Sequence, residues 1–375
     1  MEGRSRYTAT RPAFGTWFGR LLARPDIQSL AMRLPVARWM ARRDGSEIFQ
    51  VIQGFVSSQV LMALVELEVL EHLADGPMTA RQLAHKLSVD ADRLDVFLRA
   101  GAALGFLRSR RDTAYCLARK GAALRGVPGL ADMILHHRAL YRDLETPAAF
   151  LKDGSGSELS RFWPYVHDAA QVGADQAARY SLLMARSQAL VAEDTLRQVS
   201  LHSVRHLLDV GGGSGAFLAE VARQNELMQL TLFDLPETRA AAQSYLDSVG
   251  QAGRISCLSG SFVSDALPSG ADAISLIRVL YDHSDQTVQN LLAKVYQTLP
   301  AGGRLIISEP MSGRNAPDPI TDVYFAIYTL AMGTGKTRTA DHIGKLVKAA
   351  GFRDIASPKP LRGYITSTLT AVKPG

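Results

Sequence analysis

A glycine-rich turn in the middle of the chain has residue types and a spacing that can bind a ligand. The stretch HLLDVGGGSGAF, residues 206–217, predicts a buried strand, a tight turn and the start of a helix. Glycines at such a turn let a ligand approach the backbone closely. The spacing G-x-G-x-x-A from Gly211 fits a dinucleotide site, whereas D-x-G-x-G-x-G from Asp209 fits a site for S-adenosylmethionine. The turn alone leaves both ligands open.

Acidic and aromatic residues at the ends of neighbouring predicted strands add to this site. Asp234 stands 19 residues beyond Gly215, where an acid accepts hydrogen bonds from the ribose hydroxyls that both ligands contain. Asp209 is more informative, because an acid just before the turn favours a cationic ligand end over a pyrophosphate. Phe262 follows the third predicted strand and offers a surface for an adenine ring.

Alternating apolar runs and helical segments position these residues in the second half of the chain. From Val204 onward the pattern predicts an α/β fold with a parallel, doubly wound sheet, whose ligand crevice lies at the carboxyl ends of the strands. Glu309, at the end of one such strand, is expected to face this crevice. The expected strands span residues 207–210, 230–233, 255–258, 273–277, 304–308 and 366–372.

The first half of the chain has a helical character. Apolar residues recur at helical spacing from Ser46 to Leu73, and residues 80–117 indicate two short helices and a two-stranded wing, with Thr79 as a helix N-cap. This winged-helix pattern raises a DNA-binding regulator as an alternative. The candidate recognition helix from Asp92 carries two acids and two arginines, whereas a DNA reader needs more donors. The sequence therefore favours a dimerisation or substrate-lid module and no nucleic-acid partner.

Length and composition indicate a chain of two domains. It has 375 residues, 47% of them apolar and 21% charged, and its two cysteines exclude a disulfide scaffold and a multi-cysteine metal site. No metal is predicted. Without a secretory signal or an apolar run of about 18 residues, we expect no membrane-spanning helix and a cytoplasmic location. We expect a basic arm over residues 1–45, a helical winged-helix domain over 46–175 and an α/β domain over 176–375.

The net charge of +6 is concentrated at the amino terminus. Residues 1–45 contain nine arginines against three acids, interleaved with Trp17, Phe18, Trp39 and other large apolar residues. This pattern suits peripheral contact with an anionic membrane surface. A basic arm that packs on its own subunit or on a partner subunit is the alternative.

Four motifs, taken in order, resemble the class I S-adenosylmethionine-dependent O-methyltransferases of the plant phenolic and acetylserotonin type. They are DVGGGSG, FDLP, RVLYDHSD and LPAGGRLIISEP, and the resemblance extends from about Phe49 to the end of the chain. It implies a Rossmann-like methyltransferase domain preceded by a mainly helical, winged-helix dimerisation domain, with S-adenosylmethionine as cofactor and a homodimer as assembly. The implied cofactor contacts are Asp209, Gly211, Gly213, Gly215, Asp234, Leu235, Ser261, Phe262 and Arg278.

The chain departs from this family pattern at the catalytic base. Phenolic members carry a His as the fourth residue of an R-V-L-H-D-W pattern, but Tyr281 stands there, and His283 stands in place of the Trp. The supporting acid is retained as Glu309, a second acid is replaced by Thr337, and Ser261 stands where members usually have an acid. Either His283 acts as the base from a shifted position, or no strong base is needed. The departure from the family's base fits an alcohol or a carbon acceptor better than a phenol. We predict Tyr281, His283 and Glu309 as the catalytic polar groups.

A finer resemblance concerns the acceptor. The stretches SSQVLMALVELEVLEHLADGP, LHHRALYRDLETPAAFL and FWPY resemble a bacterial branch of carotenoid O-methyltransferases that act on tertiary 1-hydroxyl groups. This implies a small apolar acceptor, a hydroxy carotenoid, and a peripheral position on the inner, photosynthetic membrane. Bacteriochlorophyll C-methyltransferases and polyketide or phenolic O-methyltransferases of the same fold remain alternatives. The expected acceptor-binding residues are His136, His137, Tyr141, Tyr180, Met184, Phe325 and Tyr328.

One further motif is rejected as a ligand site. GTGKT, residues 333–337, matches the end of a phosphate-binding loop, but Leu330 stands where the first glycine is required, and the segment follows a predicted helix instead of a strand. We therefore predict no phosphate site there.

Overall fold

The structure, a computed structural model, describes residues 35–110, 113–152, 156–162, 185 and 188–375. The chain divides into two compact units, residues 1–122 and 123–375. This division falls before the predicted boundary at residues 175 and 176. The physical reason is an apolar cluster in which Ala139 and Leu140 pack with Tyr328 and Met332, so the helices after residue 122 belong to the second unit.

The described part of the first unit begins with a long helix. α1 spans Pro35–Glu66, and the short helix α2, Val69–His72, follows a left-handed Glu68 at φ 52°. The helix predicted from Ser46 is confirmed, but it begins eleven residues earlier, inside the predicted basic arm. The rest of that arm, residues 1–34, lies outside the described residues.

α1 presents an apolar face to solvent in the single chain. Six apolar side chains on it are 56–80% exposed, and at about 100° per residue they share one side of the helix, with Glu47, Gln50 and Gln53 on the other. We call this surface the α1 apolar face. Its members are Ile48, Phe49, Val51, Ile52, Phe55 and Val56.

The expectation that the chain has no apolar run of about 18 residues is wrong for α1. Residues Arg38–Glu66 are long and apolar enough to cross a membrane by length and composition alone, with a mean hydropathy of 1.7 over the best window. Core helices of soluble proteins share this length and composition, so α1 by itself does not indicate a membrane span.

The winged-helix prediction is confirmed. Helices α3, Ala80–Leu87, and α4, Ala91–Ala103, precede strands β2, Leu107–Ser109, and β3, Ala114–Leu117, and a short strand β1, Met78–Thr79, completes a three-stranded sheet in the order β1-β3-β2. Thr79 caps α3 as expected. Its hydroxyl accepts the N–H of Gln82, while the Gln82 side chain accepts the N–H of Thr79.

Helices lead from the first unit into the second. They are α5, Arg119–Gly126, which crosses the division, α6, Leu130–Asp143, and α7, Pro147–Lys152, followed by a 3₁₀ turn at Leu159–Phe162. A further helical segment covers residues 188–198. The helical character predicted for the first half of the chain thus continues through these elements, with non-helical residues at 144–146, 156–158 and 199–200.

The second unit contains a seven-stranded sheet in the order β11-β12-β8-β7-β4-β5-β6. All six predicted strands are present, but the sheet is mixed instead of parallel. β12 runs antiparallel to β8, and the seventh strand, β11, pairs antiparallel with β12. β11 was not predicted, because its four residues are largely exposed and carry no apolar alternation. The strands are β4, His206–Val210, β5, Gln229–Asp234, β6, Ile255–Ser259, β7, Ala273–Ile277, β8, Arg304–Glu309, β11, Arg353–Ala356, and β12, Ser367–Val372.

Two apolar clusters sandwich this sheet and hold its strand ends in place. One packs residues of β4 and β5 against α8, Ala216–Gln224, and α9, Arg239–Ser248. The other packs β7 and β8 against α10, Asp285–Thr298, and α12, Ala340–Ala349. The remaining elements are a parallel pair, β9, Met311–Ser312, and β10, Arg338–Thr339, a π-helical turn at Thr321–Phe325, and α11, Ala326–Met332.

Candidate active site

A cavity of about 380 Å³ opens at the carboxyl ends of β4, β5, β6 and β7 in the second unit. This is the edge at which open α/β sheets bind ligands. Nine of the predicted site residues line it, namely Gly211, Gly213, Asp234, Leu235, Ser261, Phe262, Arg278, Tyr281 and His283. Unpredicted residues in its wall include Gln188, Gly212, Thr238, Ile277, Asp282, Met332 and Thr334.

The glycine turn after β4 forms the floor of the cavity. Gly211, Gly213 and Gly215 have φ values of 70°, 57° and 76°, a region that favours glycine. Gly215 is the N-cap residue of α8 and lies outside the cavity lining. At Gly212, a Cβ atom would lie 2.2 Å from Oδ2 of Asp209, so the turn has no room for a side chain there.

Asp234 ties the end of β5 to the glycine turn. Its Oδ2 accepts the N–H of Gly213 at 2.6 Å, and its Oδ1 accepts the N–H of Leu235 at 2.7 Å. Burial raises the pKa of Asp234, and these two backbone hydrogen bonds oppose that rise. The carboxylate is thus fixed at the cavity wall, with lone pairs left to accept ribose hydroxyls.

We expect Asp234→Asn to weaken cofactor binding by about 1–2 kcal/mol. An amide nitrogen cannot accept the N–H that one carboxylate oxygen now accepts, which leaves a buried donor unpaired. Titration calorimetry with S-adenosylhomocysteine measures the change. Asp247→Asn, which alters an exposed carboxylate on α9 outside the cavity lining, is the matched control. Equal affinities for wild type and Asp234→Asn would contradict the assignment.

Asp209 lies beneath the turn instead of lining the cavity. Its side chain is completely buried. Its Oδ1 accepts a hydrogen bond of 2.6 Å from the hydroxyl of Ser275, the residue paired with it on the neighbouring strand β7. Burial raises the pKa of Asp209 to about 7. The structure therefore does not place Asp209 where it could touch a cationic ligand end directly, because the backbone of the turn lies above it.

The loop after β6 carries the predicted adenine surface. Phe262 lines the cavity, and its ring meets the His283 ring edge-on at 5.2 Å between centroids. Ser261 stands where the family has an acid, and its N–H donates to Asp265 at 2.8 Å. Lys294, which the sequence did not single out, holds the loop by donating to the carbonyls of Phe262, Val263 and Asp265 at 2.7–2.8 Å.

The 3₁₀ turn Leu280–Asp282 places the predicted catalytic groups at one end of the cavity. Tyr281 is buried, and its backbone N–H donates to Oε2 of Glu309 at 3.1 Å. Burial raises the pKa of the Tyr281 phenol well above its usual range and lowers the pKa of His283 to about 4. Glu309 is completely buried, which raises its pKa to about 7, and it supports the turn from below without lining the cavity.

Three groups in the cavity wall lack a hydrogen-bond partner among the described residues. They are Oε1 of Gln188, Nε of Arg278 and Oδ1 of Asp282. Burial raises the pKa of Asp282, and the nearby Glu309 adds to the rise. Asp282 was not predicted as a site residue, although it follows directly after the family's base position. Arg278 has a left-handed φ of 57°, and its guanidinium lies 5.9 Å from the centre of the Phe325 ring.

The predicted acceptor-binding residues gather beside this turn in an aromatic cluster. His136 shares a hydrogen bond of 3.0 Å with the Tyr328 hydroxyl, and His137 one of 2.6 Å with the hydroxyl of Tyr324, a residue not predicted. Burial lowers the pKa of both histidines, that of His136 to about 4. Tyr141 contacts His137, and Phe325 contacts Tyr324. Tyr180 and Met184 lie outside the described residues.

These contacts join α6 to α11 and to the π-helical turn before it. His136 and His137 are adjacent on α6, and each one reaches a different tyrosine. Neither histidine belongs to the cavity lining. Nδ1 of His137 lies 2.5 Å from the carbonyl of Met133, so this nitrogen carries the proton. Its other nitrogen then accepts the Tyr324 hydroxyl, and both polar groups are satisfied without a ligand.

Comparison with known proteins agrees with this arrangement. An O-methyltransferase domain family matches residues 146–353, and an O-methyltransferase dimerisation domain family matches residues 49–124. A demethylspheroidene O-methyltransferase from Cereibacter sphaeroides is 51% identical over 356 residues, covering 95% of this chain and 94% of the relative. One of the same name from Rhodobacter capsulatus is 45% identical, covering 99% and 93%. The crystal structure of human N-acetylserotonin methyltransferase with S-adenosylmethionine has a TM-score of 0.76 at 24% identity, covering 88% of this chain and 98% of that one.

The fold and the cavity define a class I methyltransferase with an amino-terminal dimerisation domain. The chain belongs to the O-methyltransferase family, and it is an S-adenosylmethionine-dependent enzyme. Its dimerisation domain supports a homodimer.

The cavity fits S-adenosylmethionine on the structure's own terms. A side-chain-free turn offers backbone N–H groups, Asp234 is an acceptor for ribose, and Phe262 is an aromatic surface for adenine. The unpartnered Nε of Arg278 and Oδ1 of Asp282 offer a donor and an acceptor to a ligand.

Proposed function

We propose that the chain transfers the methyl group of S-adenosylmethionine to the tertiary 1-hydroxyl of an acyclic hydroxy carotenoid. The single observation that carries the acceptor is the 51% identity, over 95% of this chain, to a protein named demethylspheroidene O-methyltransferase. Such an acceptor is a long apolar chain with one hydroxyl at its end. The aromatic cluster supports this choice, because its histidine and tyrosine polar groups are paired with each other.

The protonation states at the turn also support an alcohol acceptor. At neutral pH, Tyr281 is an uncharged phenol, and His283 is an uncharged imidazole of weak basicity. Neither can remove a proton from an alcohol in advance, because an alcohol is a far weaker acid than imidazolium. The proton must therefore leave late, when the oxygen has begun to bond to the methyl carbon.

Late proton loss requires only a weak base near the oxygen. S-adenosylmethionine supplies a methyl group on a positively charged sulfur. As the hydroxyl oxygen forms its bond to carbon, the carbon–sulfur bond breaks, S-adenosylhomocysteine leaves, and the new ether carries the hydroxyl proton. A protonated ether is a strong acid, so neutral His283 or water can accept this proton. Tyr281 then acts as a hydrogen-bond donor or relay, and positioning supplies most of the rate enhancement.

An acceptor panel tests this proposal. We expect the purified enzyme with labelled S-adenosylmethionine to methylate demethylspheroidene or another 1-hydroxy carotenoid, with one methyl transferred per acceptor and one S-adenosylhomocysteine formed. Phenols and bacteriochlorophyll precursors of matched concentration serve as comparison acceptors. Faster turnover of a phenol would replace the proposal with a phenolic O-methyltransferase, and label on a carbon atom would replace it with a C-methyltransferase.

We further propose that the chain is cytoplasmic and binds peripherally to the inner, photosynthetic membrane through its basic amino terminus. The arginine surplus of residues 1–45 and the exposed Trp39 and Met40 support this, because arginine and aromatic side chains favour an anionic lipid surface. An apolar acceptor dissolved in that membrane would lie within reach.

Vesicle sedimentation tests the membrane proposal. We expect the full chain to sediment with vesicles that contain anionic lipid, and less so at high salt, because exposed charges are screened. A variant lacking residues 1–34, which leaves α1 whole, should sediment less. Neutral vesicles are the control. Equal sedimentation of the two proteins, or no effect of salt, would argue against this role of the amino terminus.

A further inference from the structure

The segment Thr334–Arg338, which contains most of the motif rejected as a phosphate loop, contacts the turn that carries Tyr281 and His283. Every carbonyl from Leu280 to His283 accepts a hydrogen bond from this segment. Arg338 donates to the carbonyls of Leu280 and His283, at 2.8 and 2.7 Å. The N–H of Lys336 donates to the Tyr281 carbonyl at 2.7 Å, and the Thr334 hydroxyl donates to the Asp282 carbonyl at 2.9 Å.

Arg338 is itself held in one orientation. Its side chain is completely buried. Its Nε donates, at 2.7 Å, to Oδ1 of Asp285, which is the first residue of α10. Lys336 donates to the other oxygen of the same carboxylate, also at 2.7 Å. The hydrogen bonds and charges of Lys336 and Arg338 lower the pKa of Asp285 to about 2, so it is ionised at neutral pH. Because Asp285 fixes the planar guanidinium, the turn cannot move without losing its hydrogen bonds to Arg338.

Gly335 allows the two segments to approach this closely. A Cβ atom at this position would lie 2.8 Å from the Tyr281 carbonyl oxygen and 2.7 Å from Cβ of Thr329. Any side chain would therefore push the segment away from the turn or from α11. Gly335 and Lys336 of the motif, together with Arg338 just after it, thus have a structural role that does not involve phosphate.

We propose that Thr334–Arg338 is a clamp that positions the catalytic turn, with Arg338 as its principal positioning residue. The clamp holds the backbone of the turn at four consecutive carbonyls and so sets where Tyr281 and His283 stand relative to the transferring methyl. Arg338 acts through the turn and does not itself contact a reacting atom. The inference rests on methyl transfer at this cavity and is independent of which acceptor is used.

Three variants of the clamp and one control separate positioning from general stability. Arg338→Lys keeps the charge but replaces three separate guanidinium nitrogens, which bond Asp285, Leu280 and His283, with a single nitrogen that cannot occupy all three positions. Gly335→Ala places a methyl group against the Tyr281 carbonyl, and Thr334→Val removes one donor. Thr298→Val is the control for the last, because the Thr298 hydroxyl also donates to a carbonyl at 2.9 Å, but within α10 and away from the cavity.

Amide hydrogen exchange of residues 278–284 is the primary measurement. The N–H of Tyr281 is hydrogen-bonded to Glu309, and those of Asp282 and His283 are hydrogen-bonded to the carbonyls of Val279 and Leu280. We expect about tenfold faster exchange there in Arg338→Lys and Gly335→Ala, and a smaller rise in Thr334→Val. Exchange in α8 should stay unchanged. With demethylspheroidene as acceptor, kcat should fall about tenfold, while the Kd for S-adenosylhomocysteine stays within threefold. Thr298→Val should match wild type.

Unchanged exchange in the turn, in variants that keep the wild-type circular dichroism, would overturn the clamp, and so would a fall in kcat without faster exchange. If Arg338→Lys does not fold, Gly335→Ala and Thr334→Val decide the question by the same measurements. If wild type methylates no hydroxy carotenoid, the proposed acceptor fails. The exchange result still tests the clamp by itself.

Discussion

Gly212→Ala is expected to lower the affinity for S-adenosylmethionine about 100-fold. The new Cβ would lie 2.2 Å from Oδ2 of Asp209 and 2.6 Å from Cδ1 of Leu232. Both residues are buried, Asp209 on β4 and Leu232 on β5. The turn must therefore shift, which costs about 3 kcal/mol at the upper end of the range for overpacking. Such a shift moves the backbone N–H groups away from the cofactor.

Titration calorimetry with S-adenosylhomocysteine measures this loss, and Gly253→Ala is its control. Gly253 has no heavy atom within 4 Å of the position of a Cβ, and its φ is not in the left-handed region. The control should bind as wild type does. Retention of affinity within threefold in Gly212→Ala would contradict the assignment of this turn to the cofactor. Circular dichroism establishes that both variants are folded.

Tyr281→Phe and His283→Gln are each expected to lower kcat about 10- to 100-fold. Loss of a true general base typically lowers the rate by roughly 10²–10⁴-fold. The effect expected here is smaller, because both groups are uncharged at neutral pH and help only with late proton transfer. Single-turnover kinetics with a 1-hydroxy carotenoid measures the effect. Tyr296→Phe and His202→Gln, outside the cavity lining, are the controls. A loss above about 10⁴-fold in His283→Gln, with ligand affinities intact, would show that His283 is an obligatory base.

The pH dependence of the same step is expected to be shallow between about pH 6 and 9. Burial keeps His283 unprotonated above its lowered pKa of about 4, and it keeps Tyr281 protonated to well above pH 9. Of the three predicted catalytic groups, only Glu309 changes charge in this window, since burial raises its pKa to about 7. Any inflection near pH 7 should therefore disappear in Glu309→Gln. An inflection that persists there would point to another group.

Much of the cofactor half of the site could be predicted from the sequence, because its geometry is local. Glycines with positive φ, an acid at the end of β5 and an aromatic residue after β6 follow directly from strand ends in a doubly wound fold. The burial of Asp209 could not be predicted in this way. Its position depends on the pairing of β4 with β7, which brings Ser275 beside it.

The catalytic half was less predictable, because its contacts join residues far apart in the chain. Tyr281 and His283 could be placed from their motif, but Arg338 lies more than 50 residues later, and its burial depends on the folded positions of β10 and α10. Tyr324 and Asp282 were missed for a similar reason. Nothing in their local spacing separates them from ordinary core or turn residues. β11 shows the same limit in the fold, since only its partner β12 makes it a strand.

The hydrogen bonds of Asp234 have a consequence for how the enzyme is inhibited. The N–H of Gly213 donates to the Asp234 side chain, and the N–H of Gly260, just before Phe262, donates to the Asp234 carbonyl at 2.9 Å. These hydrogen bonds tie the glycine turn and the Phe262 loop to the end of β5, and none of these groups is among those assigned to methyl transfer. S-adenosylhomocysteine differs from S-adenosylmethionine only in lacking the methyl group and its positive charge. These residues should therefore bind the product nearly as tightly as the cofactor. We therefore expect competitive product inhibition at concentrations close to the KM for S-adenosylmethionine. Sustained turnover then requires a separate reaction that consumes S-adenosylhomocysteine.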